Sequence, residues 1–214
     1  MPSRSKPRPP TTILFVRHGQ TGTTGKVLPG RAPGLHLADA GRAQAQAVAE
    51  RIAGLKRVDA VYASPLERAR ETAAPIAAAR GLKVSIEKGL LECDFGEWTG
   101  AELEGLAKKP EWSTVQRYPS GFRFPGGESF VDMSARICDA ALKLKDAHPG
   151  GVVVAVSHAD PIKAAVADAL GTHLDLFQRI VISTCSVTAI TYGAGGPAVL
   201  TVNHTGDLAG LAPS

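Results

Sequence analysis

Arg17 and His18 are the first residues whose types and position favour phosphate chemistry. They come directly after Thr12 to Val16, an apolar run typical of a buried strand. A neutral imidazole is a nitrogen nucleophile near pH 7, and a guanidinium is a fixed cation whose planar donors match phosphate oxygens. Open α/β sheets carry their sites at the carboxyl ends of strands, so this position favours a catalytic pair. A structural histidine is the alternative.

Arg68 and His158 occupy the same kind of position. Arg68 follows the strand predicted over Val58 to Ala63, and His158 follows the most apolar run, Gly151 to Val156, which predicts a central parallel strand. Helix N-termini at this edge of a sheet favour anions. Four basic side chains that converge there would match a phosphoryl group, whose charge is about −1.5 to −2. A solvated surface charge is the alternative for Arg68.

Glu92 is the candidate proton donor for a leaving oxygen. Together with Asp94 and Glu97, it lies among large apolar residues after a short third strand, predicted over Lys83 to Ile86. Burial beside apolar side chains raises a carboxyl pKa and makes the group a proton donor near neutral pH. An exposed loop position is the strong alternative for Asp94 and Glu97.

Two helix starts carry capping signals. Ser64, with Pro65 in the first helical position and Glu67 three residues on, predicts a capping box. Asp160, followed by Pro161, predicts a second capped helix. Apolar spacing predicts further helices over residues 38–55 and 129–147, and further strands over residues 180–182, 186–192 and 198–203.

The composition bounds the class of protein. A chain of 214 residues that is 44% hydrophobic supports one domain with a sizeable core. The net charge of +4 arises largely in the first ten residues, which hold three basic residues and no acid, so it does not argue for a nucleic-acid partner. We expect residues 1–10 to form a disordered, proline-rich tail. The sequence lacks a run of about 18 apolar residues, so we expect no membrane span.

The cysteines and histidines show no metal-ligand pattern. The three cysteines are widely spaced and form no Cys-x-x-Cys pair, and the six histidines show no known ligand spacing. We therefore expect a reduced, cytoplasmic protein with no required metal or cofactor. The expected partner is a small phosphorylated metabolite, bound by a monomer or homodimer that contacts neither nucleic acid nor membrane.

Five segments match known motifs in a fixed order along the chain. They are Val16-Arg17-His18-Gly19-Gln20-Thr21; Ser64-Pro65-Leu66-Glu67-Arg68-Ala69 with Glu71-Thr72-Ala73; Leu91-Glu92 through Phe95-Gly96-Glu97-Trp98; Phe124-Pro125-Gly126-Gly127-Glu128-Ser129; and Val156-Ser157-His158. Together they resemble the histidine phosphatase superfamily, the phosphoglycerate-mutase-like proteins. The chain is most similar to a bacterial branch whose members are often labelled phosphomutases.

The resemblance implies a three-layer α/β sandwich, with a mostly parallel central sheet and helices on both faces. We expect a single domain over residues 11–214. The irregular, aromatic-rich stretch at about residues 100–127 is interpreted as an insertion that covers the site. By resemblance His18 is the phosphoryl acceptor and Glu92 protonates the leaving oxygen.

The resemblance also implies the groups that bind the phosphoryl oxygens, which are Arg17, Arg68 and His158. Further substrate contacts are expected from Gln20, Thr24, Gly30 and Ala159. The sequence departs from the family pattern at two of these positions. Thr24 stands where an asparagine is usual, and Ala159 stands where a glycine commonly follows the second histidine.

Phosphatase is the first functional prediction, and phosphomutase is the alternative on the same site. A mutase must also bind the second anionic group of its substrate, for which Lys108, Lys109, Arg117 and Arg123 are candidates. Scattered surface charge explains these residues equally well. A phospholigand-binding protein without catalysis is the third hypothesis, but it would have no use for a proton donor beside a nucleophile.

Overall fold

The computed structural model describes residues 9–206, so most of the tail predicted over residues 1–10 lies outside the described part. A six-stranded sheet forms the centre, in the order β3-β2-β4-β1-β5-β6. The strands are β1 (Thr11–Arg17), β2 (Ala60–Ala63), β3 (Val84–Ile86), β4 (Val152–Ser157), β5 (Val187–Gly193) and β6 (Gly196–His204). Neighbours from β3 to β1 are parallel, whereas β5 runs antiparallel to both β1 and β6. The mostly parallel sheet is therefore confirmed.

Residues 9–206 contain six α-helices. They are α1 (Asp39–Ala53), α2 (Glu67–Ala79), α3 (Leu103–Leu106), α4 (Trp112–Arg117), α5 (Phe130–Ala147) and α6 (Ala159–Ala169). The longest, α5, starts at a capping box in which the Ser129 hydroxyl accepts the Asp132 N–H and the Asp132 carboxylate accepts the Ser129 N–H. Within residues 9–206, no helix is long and apolar enough to cross a bilayer.

Side chains of β1 alternate between two hydrophobic clusters, one on each face of the sheet. Ile13 and Phe15 pack in a cluster with α5 and α6, which we call the α5–α6 cluster. Leu14 and Val16 pack in a cluster with α1 and α2, the α1–α2 cluster. A strand that is apolar at every position is needed here, because both of its faces are covered by helices. The three-layer architecture predicted from the sequence is confirmed.

The stretch at about residues 100–127 packs onto the α5–α6 cluster. Leu106, Val115 and Phe124 from this stretch are buried there. Trp112 stacks over Trp98 with ring centroids 6.4 Å apart. The stretch therefore shares the core of the domain and has no separate core of its own.

The carboxyl ends of the parallel strands align at one edge of the sheet. Arg17 of β1 pairs with Ser157 of β4, and Ala63 of β2 pairs with both Val156 of β4 and Ile86 of β3. The residues that follow these strand ends therefore leave the sheet side by side.

The predicted capping box at Ser64 is wrong. Helix α2 begins at Glu67, with Leu66 in the cap position and no side-chain cap. The Leu66 N–H lies 3.5 Å from the Ser64 hydroxyl, the outer limit of a hydrogen bond, because this hydroxyl instead forms a 2.8 Å hydrogen bond with His158 Nε2.

Two other local predictions are also wrong. Helix α6 begins at Ala159 with His158 in the cap position, so Asp160 lies inside the first turn, where its carboxylate binds Lys163. Residues 180–182 form no strand, and the carbonyl of Ile182 accepts a hydrogen bond from Arg17. The remaining predicted boundaries lie within two residues of the observed ones.

Candidate active site

His18 is buried, with its ring held between Gly19 and Arg68. Its Nδ1 lies 2.8 Å from the Gly19 carbonyl, and because a carbonyl only accepts, Nδ1 carries the proton. Nε2 therefore holds the lone pair and accepts a hydrogen bond from Arg68 Nε at 3.3 Å. Burial, with the charge of Arg68, lowers the pKa of His18 to about 3. At neutral pH the ring is thus uncharged, with its nucleophilic lone pair on Nε2.

Arg68 is fully buried, and hydrogen bonds hold both its guanidinium and its backbone. Its Nη2 donates to the Gly30 carbonyl at 2.8 Å. The Thr72 hydroxyl donates to the Arg68 carbonyl at 2.7 Å and accepts the Gly19 N–H at 3.0 Å. Burial lowers the pKa of Arg68, but a guanidinium remains charged at neutral pH. These bonds fix the cation beside His18.

Gly19 permits a close approach between the loop after β1 and helix α1. A Cβ atom at Gly19 would lie 2.6 Å from the carbonyl oxygen of Gly41. The backbone that follows His18 can therefore reach its position only without a side chain here.

Arg17 and His158 complete the basic group around His18. Arg17 Nη1 donates to the Ile182 carbonyl at 2.7 Å, and burial lowers the pKa of this guanidinium. His158 is fully buried, and its ring centroid lies 5.1 Å from that of His18. Burial, followed by the charge of Arg68, holds the pKa of His158 well below its usual value.

Three buried side-chain nitrogens in residues 9–206 have no hydrogen-bond partner: Arg17 Nε, Arg68 Nη1 and His158 Nδ1. Each belongs to one of the residues predicted to bind phosphoryl oxygens. Buried donors in folded proteins are almost always paired, and an unpaired one costs free energy. The three nitrogens are thus suited to an acceptor-rich ligand that enters beside His18.

Glu92 is buried and accepts the Cys93 N–H at 2.9 Å with Oε1. Burial, assisted by the nearby charge of Asp160, raises the pKa of Glu92 from 4.5 to about 7. The charges of Arg68 and Arg17 oppose this rise without cancelling it. The side chain can therefore both donate and accept a proton near neutral pH.

Two arginines that sequence reasoning missed hold the backbone of Glu92. Arg31 Nε donates to the Glu92 carbonyl at 2.8 Å, and Arg136 Nη2 donates to the same oxygen at 3.3 Å. Both guanidiniums also bind the Glu128 carboxylate, at 2.9 Å and 2.8 Å. Glu128 belongs to the fourth of the five motif segments, but nothing in the sequence shows which cations its carboxylate binds.

The other predicted site residues lie around this centre with different roles. Gln20 is exposed, and its backbone N–H donates to Gln44. The Thr24 hydroxyl accepts the Thr21 N–H at 2.9 Å, so it is engaged within its own turn. The structure gives Gly30 a contact with Arg68 through its carbonyl, and Ala159 is the first residue of α6.

The two other loop acids lie away from the buried centre. The Asp94 side chain is 42% exposed and pairs with Arg31 at 3.5 Å. Glu97 is exposed. Among the residues that the structure describes, no group of three or more histidines, cysteines or carboxylates is arranged to hold a metal ion.

Comparison with known proteins places this geometry in a family. Residues 13–205 match the family described as the histidine phosphatase superfamily (branch 1). A Mycobacterium tuberculosis protein named only as bifunctional is 34% identical over 203 residues, 93% of this chain but 55% of the relative. The chain thus spans about half the length of the first curated relatives that it matches.

Two further proteins match along most of their own length. Phosphoserine phosphatase 1 of Hydrogenobacter thermophilus is 29% identical over 206 residues, 90% of this chain and 92% of the relative. The solved structure of a mycobacterial glucosyl-3-phosphoglycerate phosphatase has a TM-score of 0.81 and 26% identity, and the match covers 91% of this chain and 99% of that one.

Proposed function

Because the chain belongs to the histidine phosphatase superfamily (branch 1), we propose that it hydrolyses phosphate monoesters of small metabolites through a phosphohistidine at His18. One observation carries the proposal: the three unpaired buried nitrogens belong to Arg17, Arg68 and His158, the residues around His18. A phosphoryl group has three non-bridging oxygens. They can accept from Arg17 Nε–H and Arg68 Nη1–H, and from His158 Nδ1–H in the tautomer whose Nε2 accepts the Ser64 hydroxyl.

The first step transfers the phosphoryl group to the enzyme. The lone pair on His18 Nε2 attacks phosphorus, and the bond from phosphorus to the leaving oxygen breaks. Glu92 in its acid form gives its proton to that oxygen, so the product leaves as an alcohol rather than an alkoxide. Arg17 and Arg68 stabilise the charge on the transferred group, and such stabilisation is the main source of catalysis in phosphoryl transfer.

The second step returns the enzyme to its starting state. Glu92, now a carboxylate, removes a proton from a water molecule, and the water oxygen attacks phosphorus. The bond between phosphorus and His18 Nε2 breaks, and inorganic phosphate leaves. His18 is neutral again, with its Nδ1 proton still donated to Gly19.

A phosphomutase would use the same first step and then return the phosphoryl group to a different hydroxyl. The relatives that act on phosphoserine and glucosyl-3-phosphoglycerate are both named as phosphatases, which supports the phosphatase. Free phosphate and isomerised product, measured in the same reaction, distinguish the two activities.

We also propose the setting in which this reaction takes place. The widely spaced cysteines support a reduced, cytoplasmic protein, acting as a monomer or homodimer with neither nucleic acid nor membrane as partner. The stretch at about residues 100–127 covers the site within a single domain over residues 11–214.

A phosphoenzyme trap tests the proposal. Brief reaction with a labelled phosphomonoester, followed by a denaturing quench, is expected to leave one acid-labile, alkali-stable label per chain. The label should be absent in His18→Ala and present in His173→Ala, which removes an exposed histidine outside the site. Label retained in His18→Ala would overturn the assignment of the nucleophile, and a wild-type protein that neither takes label nor releases phosphate would overturn the function.

A further inference from the structure

A cavity of about 220 Å³ lies between the stretch at about residues 100–127 and helix α6. Most of its wall is apolar and includes Trp112, Phe124 and Phe130. Its polar end is formed by Asp160, Lys163 and Gln178. At roughly 30 Å³ per water molecule, the volume corresponds to about seven waters, room for a group built on one small ring.

The cavity and the site are built partly from the same chain segments. Three segments of the site contribute wall residues: Phe95 lies three residues after Glu92, Asp160 lies two residues after His158, and Leu28 lies two residues before Gly30, whose carbonyl binds Arg68. Asp160 lines the cavity and also acts electrostatically on Glu92. The polar end of the cavity thus lies within electrostatic range of the predicted proton donor.

The polar end of the cavity holds a paired charge. Lys163 Nζ lies 3.0 Å from Asp160 Oδ1 and donates to Gln178 Oε1 at 3.0 Å. Both charged side chains are less than one-fifth exposed. The cation is thus neutralised by its neighbour, and Lys163 Nζ also lies over the Phe177 ring, 5.6 Å from its centroid. Asp160 Oδ2 has no hydrogen-bond partner among the residues that the structure describes.

We propose that this cavity binds the body of the substrate and that the pair of Asp160 and Lys163 selects an uncharged body. The substrate class is a phosphate monoester of a small alcohol with an apolar body and one neutral polar group, such as an amide or hydroxyl. A neutral amide or hydroxyl can donate to the remaining oxygen of Asp160. A substrate carboxylate is instead repelled by Asp160 and gains little from Lys163, whose charge Asp160 neutralises.

This inference rests on the proposed phosphatase function and separates the chain from its relatives. Phosphoserine and glucosyl-3-phosphoglycerate, which two relatives are named for, both carry a carboxylate. The neutralised lysine argues against such a substrate here. It also argues against this cavity as the site for the second anionic group that a mutase of phosphoglycerate type needs.

Two benzyl phosphates, one with a para carboxamide and one with a para carboxylate, test the inference. They match in size and differ in the charge of the body. In the wild-type enzyme kcat/KM should favour the carboxamide by about tenfold or more. Asp160→Asn should lower this preference by about tenfold because it leaves Lys163 unneutralised, and Lys163→Met should increase it. The preference is the ratio of the kcat/KM values of one variant for the two benzyl phosphates. Any effect of Asp160 on Glu92 acts on both values and therefore cancels.

The control is Lys143→Met, which removes an exposed lysine that pairs with Glu87 and lies outside the cavity wall, and it should leave the preference unchanged. A wild-type preference for the carboxylate, or an unchanged ratio in Asp160→Asn, would overturn the inference while hydrolysis of 4-nitrophenyl phosphate still supported the phosphatase. If hydrolysis failed altogether, the dissociation constants of the two benzyl phosphates for His18→Ala, measured by calorimetry, would still decide the selectivity of the cavity.

Discussion

Substitution of Glu92 tests the chemistry of the site most directly. Burial and the charge of Asp160 raise the pKa of this carboxyl from 4.5 to about 7. At pH 7 about half of the molecules therefore carry the proton, against roughly one in 300 for a carboxyl of ordinary pKa. The structure thus increases the population of the acid form at neutral pH by more than about a hundredfold.

Glu92→Gln keeps the size of the side chain and removes its transferable proton. An alkyl phosphate releases a poor leaving group that needs this proton, so phosphorylation of His18 should slow by about 10²–10⁴-fold. A nitrophenolate leaves without a proton, so the cost on 4-nitrophenyl phosphate should be much smaller. In the wild type, phosphorylation by alkyl phosphates should fall about tenfold per pH unit above about pH 7, because the acid form is the reactive one.

Rapid-quench burst kinetics are the appropriate assay, because hydrolysis of the phosphoenzyme uses the carboxylate of Glu92 and can limit turnover. Glu97→Gln serves as the control, since this acid is exposed, and it should show no dependence on the leaving group. For Asp94→Asn the dependence should be much smaller than for Glu92→Gln, because Asp94 acts only through its pair with Arg31. Equal losses on both substrate types in Glu92→Gln would refute the reasoning and reduce Glu92 to a positioning residue.

Four further predictions follow from the geometry. Arg31→Met removes a donor to the Glu92 carbonyl, so activity on alkyl phosphates should fall by about tenfold and nitrophenyl phosphate should be less affected; equal losses would mean general misfolding. Gly19→Ala places a Cβ atom 2.6 Å from the Gly41 carbonyl oxygen and should lower the free energy of unfolding by about 1–3 kcal/mol in urea titrations, and a stability equal to wild type would contradict the close approach. The lowered pKa of His18, about 3, means that stability should decline as pH falls from about 6.5 towards 3, and His18→Asn should flatten this slope in the same titrations. Turnover should survive chelation and fall with vanadate; loss on chelation that zinc or magnesium restores would exclude a metal-independent mechanism.

The family and the architecture could be predicted because the strands that carry them are unambiguous. Strands β1 and β4 are buried at nearly every position, as strands covered on both faces must be. Strand β1 ends at Arg17, and His158 directly follows β4. Polar residues at the ends of such strands are predictable from the chain alone, since the topology of parallel sheets brings strand ends to one edge. The match to residues 13–205 confirms the family that the motifs indicated.

Ser64 shows where local reasoning fails. The sequence from Ser64 to Glu67 has the residues of a capping box, and an isolated segment with these residues would form one. In the folded chain the Ser64 hydroxyl forms its shorter hydrogen bond with His158, 94 positions away, and does not cap the helix. A capping signal therefore predicts a helix start only where no buried polar group competes for the same oxygen.

The support of Glu92 was not predictable for a related reason. Arg31 reaches Glu92 across 61 positions, from a loop rich in glycine and proline that carries no periodic pattern. Its role depends on the path of that loop, and a single sequence contains no record of the path. The same holds for Arg136, whose position on α5 looks like that of any surface arginine.

The central sheet separates two hydrophobic clusters, and only one of them borders the substrate cavity. Phe95, Phe124 and Phe130 belong both to the α5–α6 cluster and to the cavity wall. Mutations that adapt the enzyme to a new substrate must therefore arise in a layer that also contributes to stability. The α1–α2 cluster lies beyond the sheet and can keep the fold intact while that layer changes. Such a division lets one scaffold diverge in substrate while its phosphate-binding edge stays constant.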